Sequence, residues 1–94
     1  MRVRWLRTAL ANLDAEAEYI GEDNPAAAGR TVQRILRAVN LLGKNPAMGR
    51  AGRVAGTREL VVAGTPYIVP YRVRGEAVEI LRVFDAARKW PEKL

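Results

Sequence analysis

The chain has 94 residues, 49% of them apolar, and carries 16 Lys and Arg against 10 Asp and Glu, a net charge of +6. That length suits one small domain over residues 1–94. No stretch reads as a targeting or spanning segment, because the longest uncharged run, Leu60 to Tyr71, is broken by Gly64, Pro66 and Pro70 and falls short of the roughly 20 residues a spanning helix needs. Histidine, cysteine and serine are absent, which excludes disulfides, metal sites of the usual nitrogen and sulfur type, and Ser, Cys or His catalysis. The expectation is a cytoplasmic protein with no cofactor and no metal.

"MRVRW" alternates Arg2 and Arg4 with Val3 and Trp5, the period of a strand. Thr8 is placed to cap a helix whose apolar face is Leu10, Leu13, Ala17 and Ile20, with its acids on the other faces and its end near Gly21 to Asp23. Asn24 as N-cap and Pro25 at the first helical position start a second helix, with Ala28, Val32, Ile35, Val39 and Leu42 at helical spacing, Leu36 widening the stripe, and Gly43 and Asn45-Pro46 as the stop. The short connection predicts an antiparallel helical hairpin, from whose second arm Arg30, Arg34 and Arg37 project. The glycine-rich "NPAMGRAGRVAGT" reads as a loop. "RELVV", "YIVPYRV" and "AVEILRVF" then read as three strands joined by hairpin turns, with Pro70 marking a bulge or an N–H position that faces away from its neighbours. The order predicts an α+β domain: an N-terminal strand, a helical hairpin, and a three-stranded antiparallel meander in one small sheet that the hairpin covers on one face.

Charge is uneven along this order. Asp14, Glu16, Glu18, Glu22 and Asp23 cluster in one acidic segment, whereas from Arg30 onward thirteen bases stand against five acids. The basic part points to an acidic partner, nucleic acid or a negatively charged protein segment; a solvated basic surface is the plain alternative. Arg50, Arg53 and Arg58 with Gly49, Gly52 and Gly56 could present amides and guanidinium groups to a phosphate, although the P-loop spacing is missing and tight turns explain the glycines equally well. Arg58, Arg72 and Arg82 lie one to a strand and could share a face as a basic cleft, or pair with Glu59, Glu76, Glu79 and Asp85. Tyr67 and Tyr71 share a face, as core or as stacking platform, and Trp90 beside Arg88 and Lys89 suits an anchor for a partner or a closing contact on the domain.

Together "NPAAA", "GRAG", "GTREL", "PYIVPY" and "ILRV", in this order and spacing, make the chain resemble the RelE/ParE toxins of bacterial type II toxin–antitoxin modules along nearly its whole length, closer to the ParE-like branch. The resemblance implies a cytoplasmic growth-inhibiting toxin, neutralised by a cognate antitoxin with an acidic C-terminal segment. It implies either poisoning of DNA gyrase, as ParE-like members do, or ribosome-dependent cleavage of mRNA, as RelE-like members do. A basic nucleic-acid-binding module without toxicity is the third reading. For cleavage, Arg58 and Arg82 match the family's sheet arginines, and Asp85 stands where many relatives carry histidine. A carboxylate there is ill suited to act as a cationic acid, and only Lys44, Lys89 and Lys93 are available to match the cleft lysines, so gyrase is the favoured target. Arg50, Arg53, Arg58, Arg72, Arg82, Arg88 and Trp90 are then the expected antitoxin- or target-binding residues. Asp85 is expected to be a structural anchor held by Arg82, Arg88 and Arg58.

Overall fold

The computed structural model describes residues 1–87; Arg88 and Trp90 of the expected binding set lie outside the described residues. In chain order these are β1 (Arg2–Trp5), α1 (Arg7–Asp23), α2 (Pro25–Leu41), β2 (Arg50–Ala51), β3 (Arg58–Val61), β4 (Tyr67–Arg74), β5 (Ala77–Ile80) and β6 (Phe84–Asp85). The sheet order is β1-β5-β4-β3-β2, with β6 also paired to β4. β1 runs parallel to β5, and the remaining pairs are antiparallel. The helical hairpin and the meander are therefore as the residue pattern predicts. The parallel closure by β1 and the short β2 inside the glycine-rich loop are added by the tertiary structure.

α2 begins as its residues dictate: Asn24 Oδ1 accepts the Ala27 N–H at 3.1 Å, and Pro25 fills the first turn. α1 does not start at Thr8. Leu6 donates its N–H to Ile80 O, as an extension of β1, and accepts from Leu10 N, so strand passes into helix across one residue and Thr8 lies inside the first turn. The buried stripe of α1 is Ala9, Leu13 and Glu16, with Ile20 packed alongside, and Leu10 is 47% exposed. Both stripes have helical spacing and share Leu13 and Ile20; the helix comes down on the sheet over the small Ala9, which turns Leu10 outward and brings the acid Glu16 in.

β4 divides the sheet. Tyr67, Val69 and Tyr71 point to the helices and meet Leu60, Val62, Val78 and Ile80 there, with Ala9, Leu13, Ile35, Val39 and Leu42 closing the core from above. Residues of the other parity, Ile68, Pro70, Arg72 and Arg74, point to the second face. The expected last strand is interrupted. Tyr67 and Ile68 pair with Asp85 and Phe84, and Tyr71 pairs with Ile80, so Leu81, Arg82 and Val83 oppose only Val69 and Pro70, a one-residue bulge. Pro70 explains the position: it has no N–H to offer that neighbour, while its carbonyl accepts from Leu81 N at 2.9 Å. Val83 N is satisfied by Asn12 Oδ1 on α1 at 3.2 Å. At the β4–β5 hairpin Gly75 takes φ +60, as the first position of a two-residue turn requires.

The α2 cap is the clearest local determinant of the hairpin. Asn24→Ala should lower unfolding free energy by about 1 kcal/mol, and Asn24→Gly by only a few tenths, both read from urea midpoints at unchanged m.

Candidate functional site

The glycine-rich loop is strapped to the sheet. Tyr71, fully buried, donates its hydroxyl to Pro46 O and accepts the Gly49 N–H, both at 2.8 Å. Gly49 has to be glycine, because a Cβ there would stand 2.6 Å from the Tyr71 ring. Glu59, 3% exposed, accepts from Arg50 Nε and Nη2 at 3.2 Å each and from Arg53 N at 2.9 Å. Arg58 Nη1 donates back to Ala47 O and Gly49 O at 3.2 and 2.9 Å. Gly52 N is bonded to Thr57 O, and Thr57 N to Val54 O. Of the amides expected to cradle a phosphate, those of Gly49 and Gly52 are thus engaged, by Tyr71 and by Thr57.

The basic cleft of Arg58, Arg72 and Arg82 is not assembled. Arg58 pairs with Tyr71 and Arg72 with Glu79, which puts Arg58 and Arg72 on opposite faces of the sheet, and Arg82 sits in the bulge. The second face carries instead two carboxylate centres. One is Glu59 with Arg50. The other is Glu79, 5% exposed, which accepts Arg72 Nε at 2.7 Å and has Arg74 Nε and Arg4 Nη1 at 3.7 Å. The hydrogen bond from Arg72 holds the Glu79 carboxyl below the usual glutamate value, helped by the charges of Arg72, Arg74 and Arg4 and opposed by desolvation. Arg4 and Arg74 were missed as partners of the site. Period-two alternation puts Arg2 with Arg4 and Arg72 with Arg74, and the pairing register then brings both pairs to the face of Glu79.

Asp85 is half-buried in β6 beside Tyr67, and its Oδ1 accepts the Ala87 N–H at 2.8 Å, closing a turn after the strand. Arg58 does not reach it. Arg58 lies opposite Tyr71, four residues along β4 from Tyr67, or roughly 13 Å of strand. Tyr67 and Tyr71 are both core residues, so neither is a stacking platform.

Several comparisons place this architecture. The model for the ParE toxin of the type II toxin–antitoxin system parDE matches residues 3–90. Y4kP, a toxin homologue of Sinorhizobium fredii, is 50% identical over 93 residues, spanning 99% of this chain and 96% of that one. Toxin RelE2 of Caulobacter vibrioides is 41% identical over 87 residues, 93% and 97% of the two chains. A chain in the solved chromosomal ParDE toxin–antitoxin system of P. aeruginosa superposes with a TM-score of 0.83 at 34% identity, covering 90% of this chain and 95% of that one. The chain belongs to the ParE toxin family of type II toxin–antitoxin systems.

Two outcomes follow from the two anchors. Tyr71→Phe strands the Gly49 amide and the Pro46 carbonyl and should cost about 1–3 kcal/mol of stability in denaturant titration, with the added hydrogen exchange confined to residues 46–57. Glu79 has its folded pKa below the unfolded one. Its contribution is therefore complete above the unfolded value, about 4.3, and is lost as pH falls through the folded value. Melting temperature followed from pH 7 to pH 2 should fall below about pH 4 in the wild type, and less steeply in Glu79→Gln, which starts lower at pH 7.

Proposed function

We propose that this protein is a cytoplasmic toxin that arrests growth by poisoning DNA gyrase and is held inactive by a cognate antitoxin. Family membership supports the toxin–antitoxin part of the reading. The choice of gyrase over RNA is supported by one observation above the others: Arg58 and Asp85, two of the three residues that would serve RNA cleavage, do not converge. Cleavage by 2′-hydroxyl attack needs one group to take a proton and another to protonate the leaving oxygen, both within reach of one phosphate. Arg58 is turned into the carbonyls of Ala47 and Gly49, and Asp85 holds the N–H of Ala87. Poisoning a gyrase complex asks only for surface complementarity.

The antitoxin reading is supported by charge and by shape. Arg50, Arg53 and Arg74 are exposed at the sheet's rim and Arg72 is half-buried beside them, a surface complementary to an acidic segment. Past Glu59, β3 has no strand on its β2 side among the described residues, and along that edge runs a groove of about 390 Å³ lined by Leu41, Met48 and Val61, all substantially exposed. An extended segment with alternating apolar and acidic side chains fits such an edge.

Expression alone should arrest growth, and co-expression with the antitoxin of the same module should restore it. Purified protein should inhibit gyrase supercoiling and leave mRNA on ribosomes intact. Ribosome-dependent cleavage that Arg82→Ala or Asp85→Asn abolishes without a change in melting temperature would replace the gyrase reading with the endoribonuclease one. Antitoxin association should slow as salt rises from 0.05 to 0.5 M; a salt-independent on-rate counts against docking on the basic rim.

A further inference from the structure

The second face of the sheet carries, at the corner where β1, β5 and β4 meet, a groove that shares Arg74 with the basic rim proposed for the antitoxin and otherwise lies beyond it. It has a volume of about 880 Å³ and is lined by Met1, Arg2, Arg4, Arg74, Glu76, Ala77 and Glu79. Register sets its charges out in two rows: Arg2, Ala77 and Arg74 across the three strands, then Arg4, Glu79 and Arg72. Four guanidinium-bearing positions thus mark a rectangle of roughly 7 Å along the strands and roughly 10 Å across them. Glu79 fully engages only Arg72; Arg4 and Arg74 stand 3.7 Å from it, with side chains 61% and 67% exposed, so their donors remain largely available to another anion. No helix among the described residues covers this face, since both pack on the other one.

We infer that this corner groove binds the phosphate backbone of double-stranded DNA without reading its sequence. Bidentate guanidinium groups at regular strand spacing match successive phosphates, and such contacts give position and affinity without base information. The groove lacks what the other polyanions would use. Among the described residues it has no aromatic side chain on which the bases of a single strand could stack, since Trp5, Tyr67 and Tyr71 are on the helix-facing side. Among the described residues its apolar lining is limited to Met1 and Ala77, which gives an acidic protein segment no buried anchor. The inference is independent of the gyrase reading, because it concerns the protein and DNA alone and either can fail without the other.

The test is fluorescence anisotropy with a labelled 20-base-pair duplex from 0.05 to 0.3 M salt. The wild type should show a slope of log K against log salt of about −2.7 for three phosphate contacts, at Arg2, Arg4 and Arg74. Arg4→Gln/Arg74→Gln should bind several-fold more weakly, with the slope reduced by about 2. Arg30→Gln/Arg37→Gln on α2 removes the same charge from exposed helix positions and should bind as the wild type does. Equal weakening in both double variants would show attraction by net charge alone and overturn the site. So would a single strand of the same length held more tightly than the duplex, or a 20-residue oligoglutamate held more tightly and lost in the same groove variant. If the groove variant fails to fold, Arg2→Gln, an exposed position with no recorded ion pair among the described residues, carries the test; its slope should fall by about 1, and an unchanged slope overturns the inference.

Discussion

The Tyr71 side chain is the point on which the rest of the molecule depends. It is fully buried, lies beside Ile80 of β5 and opposite Arg58 of β3, and holds the connection between α2 and β3 through the Pro46 carbonyl and the Gly49 amide. One ring thereby fills the space under the helices, and one hydroxyl satisfies both a donor and an acceptor of a loop that would otherwise have to stay in water. Helices, sheet and loop become a single packing problem. Gly49 is the local consequence: the loop backbone approaches the ring so closely that no Cβ fits between them.

Two nearly buried carboxylates on the far face do for register what Tyr71 does for the core. Glu79 collects Arg72 and Arg74 from β4 and Arg4 from β1, so it is contacted from both neighbouring strands of β5. Burying an ion pair contributes little net stability over an apolar pair, but it discriminates strongly against arrangements that leave the charge unpaired. Slipping β5 by one residue would turn Glu79 into the helix-facing layer among Val3, Tyr71 and Ile80's neighbours and expose an apolar side chain in its place. The parallel β1–β5 closure, which no hairpin turn enforces, gains a register determinant in this way. Glu59 plays the matching role at the other edge, where it ties Arg50 and the Arg53 amide to β3.

Local signals carried most of the fold. Asn24-Pro25, the stop after Leu41 and the hairpin turn at Gly75 each have one physical meaning, and each is realised. The misreadings arise where two local patterns are equally good and tertiary contact decides between them. Leu10 and Ala9 both extend a stripe through Leu13; docking on the sheet selects the smaller residue. Thr8 is a good cap in isolation, but Leu6 continues the β1 hydrogen bonding to Ile80 and so places the helix start upstream. The candidate site was less legible for the same reason. Whether Arg58 and Arg72 share a face depends on the pairing register between β3 and β4, and one residue of register reverses the answer. Residues 81–83 read as continuous strand because their composition is that of a strand; the break comes from Pro70 on the neighbour.

The same strap that stabilises the loop also engages Arg58 at that end of the sheet. Arg58 commits Nη1 to the carbonyls of Ala47 and Gly49, which fixes the direction of its guanidinium group. Charge is left available elsewhere, on Arg2, Arg4 and Arg74 at the opposite corner, where the strands end and side chains extend into solvent. A fold of this size has one core to build and few side chains beyond it. With Arg58 tied to the loop, the two surfaces proposed for recognition, the groove along β3 and the arginine corner, differ in chemistry, the first lined by apolar side chains and the second by arginines.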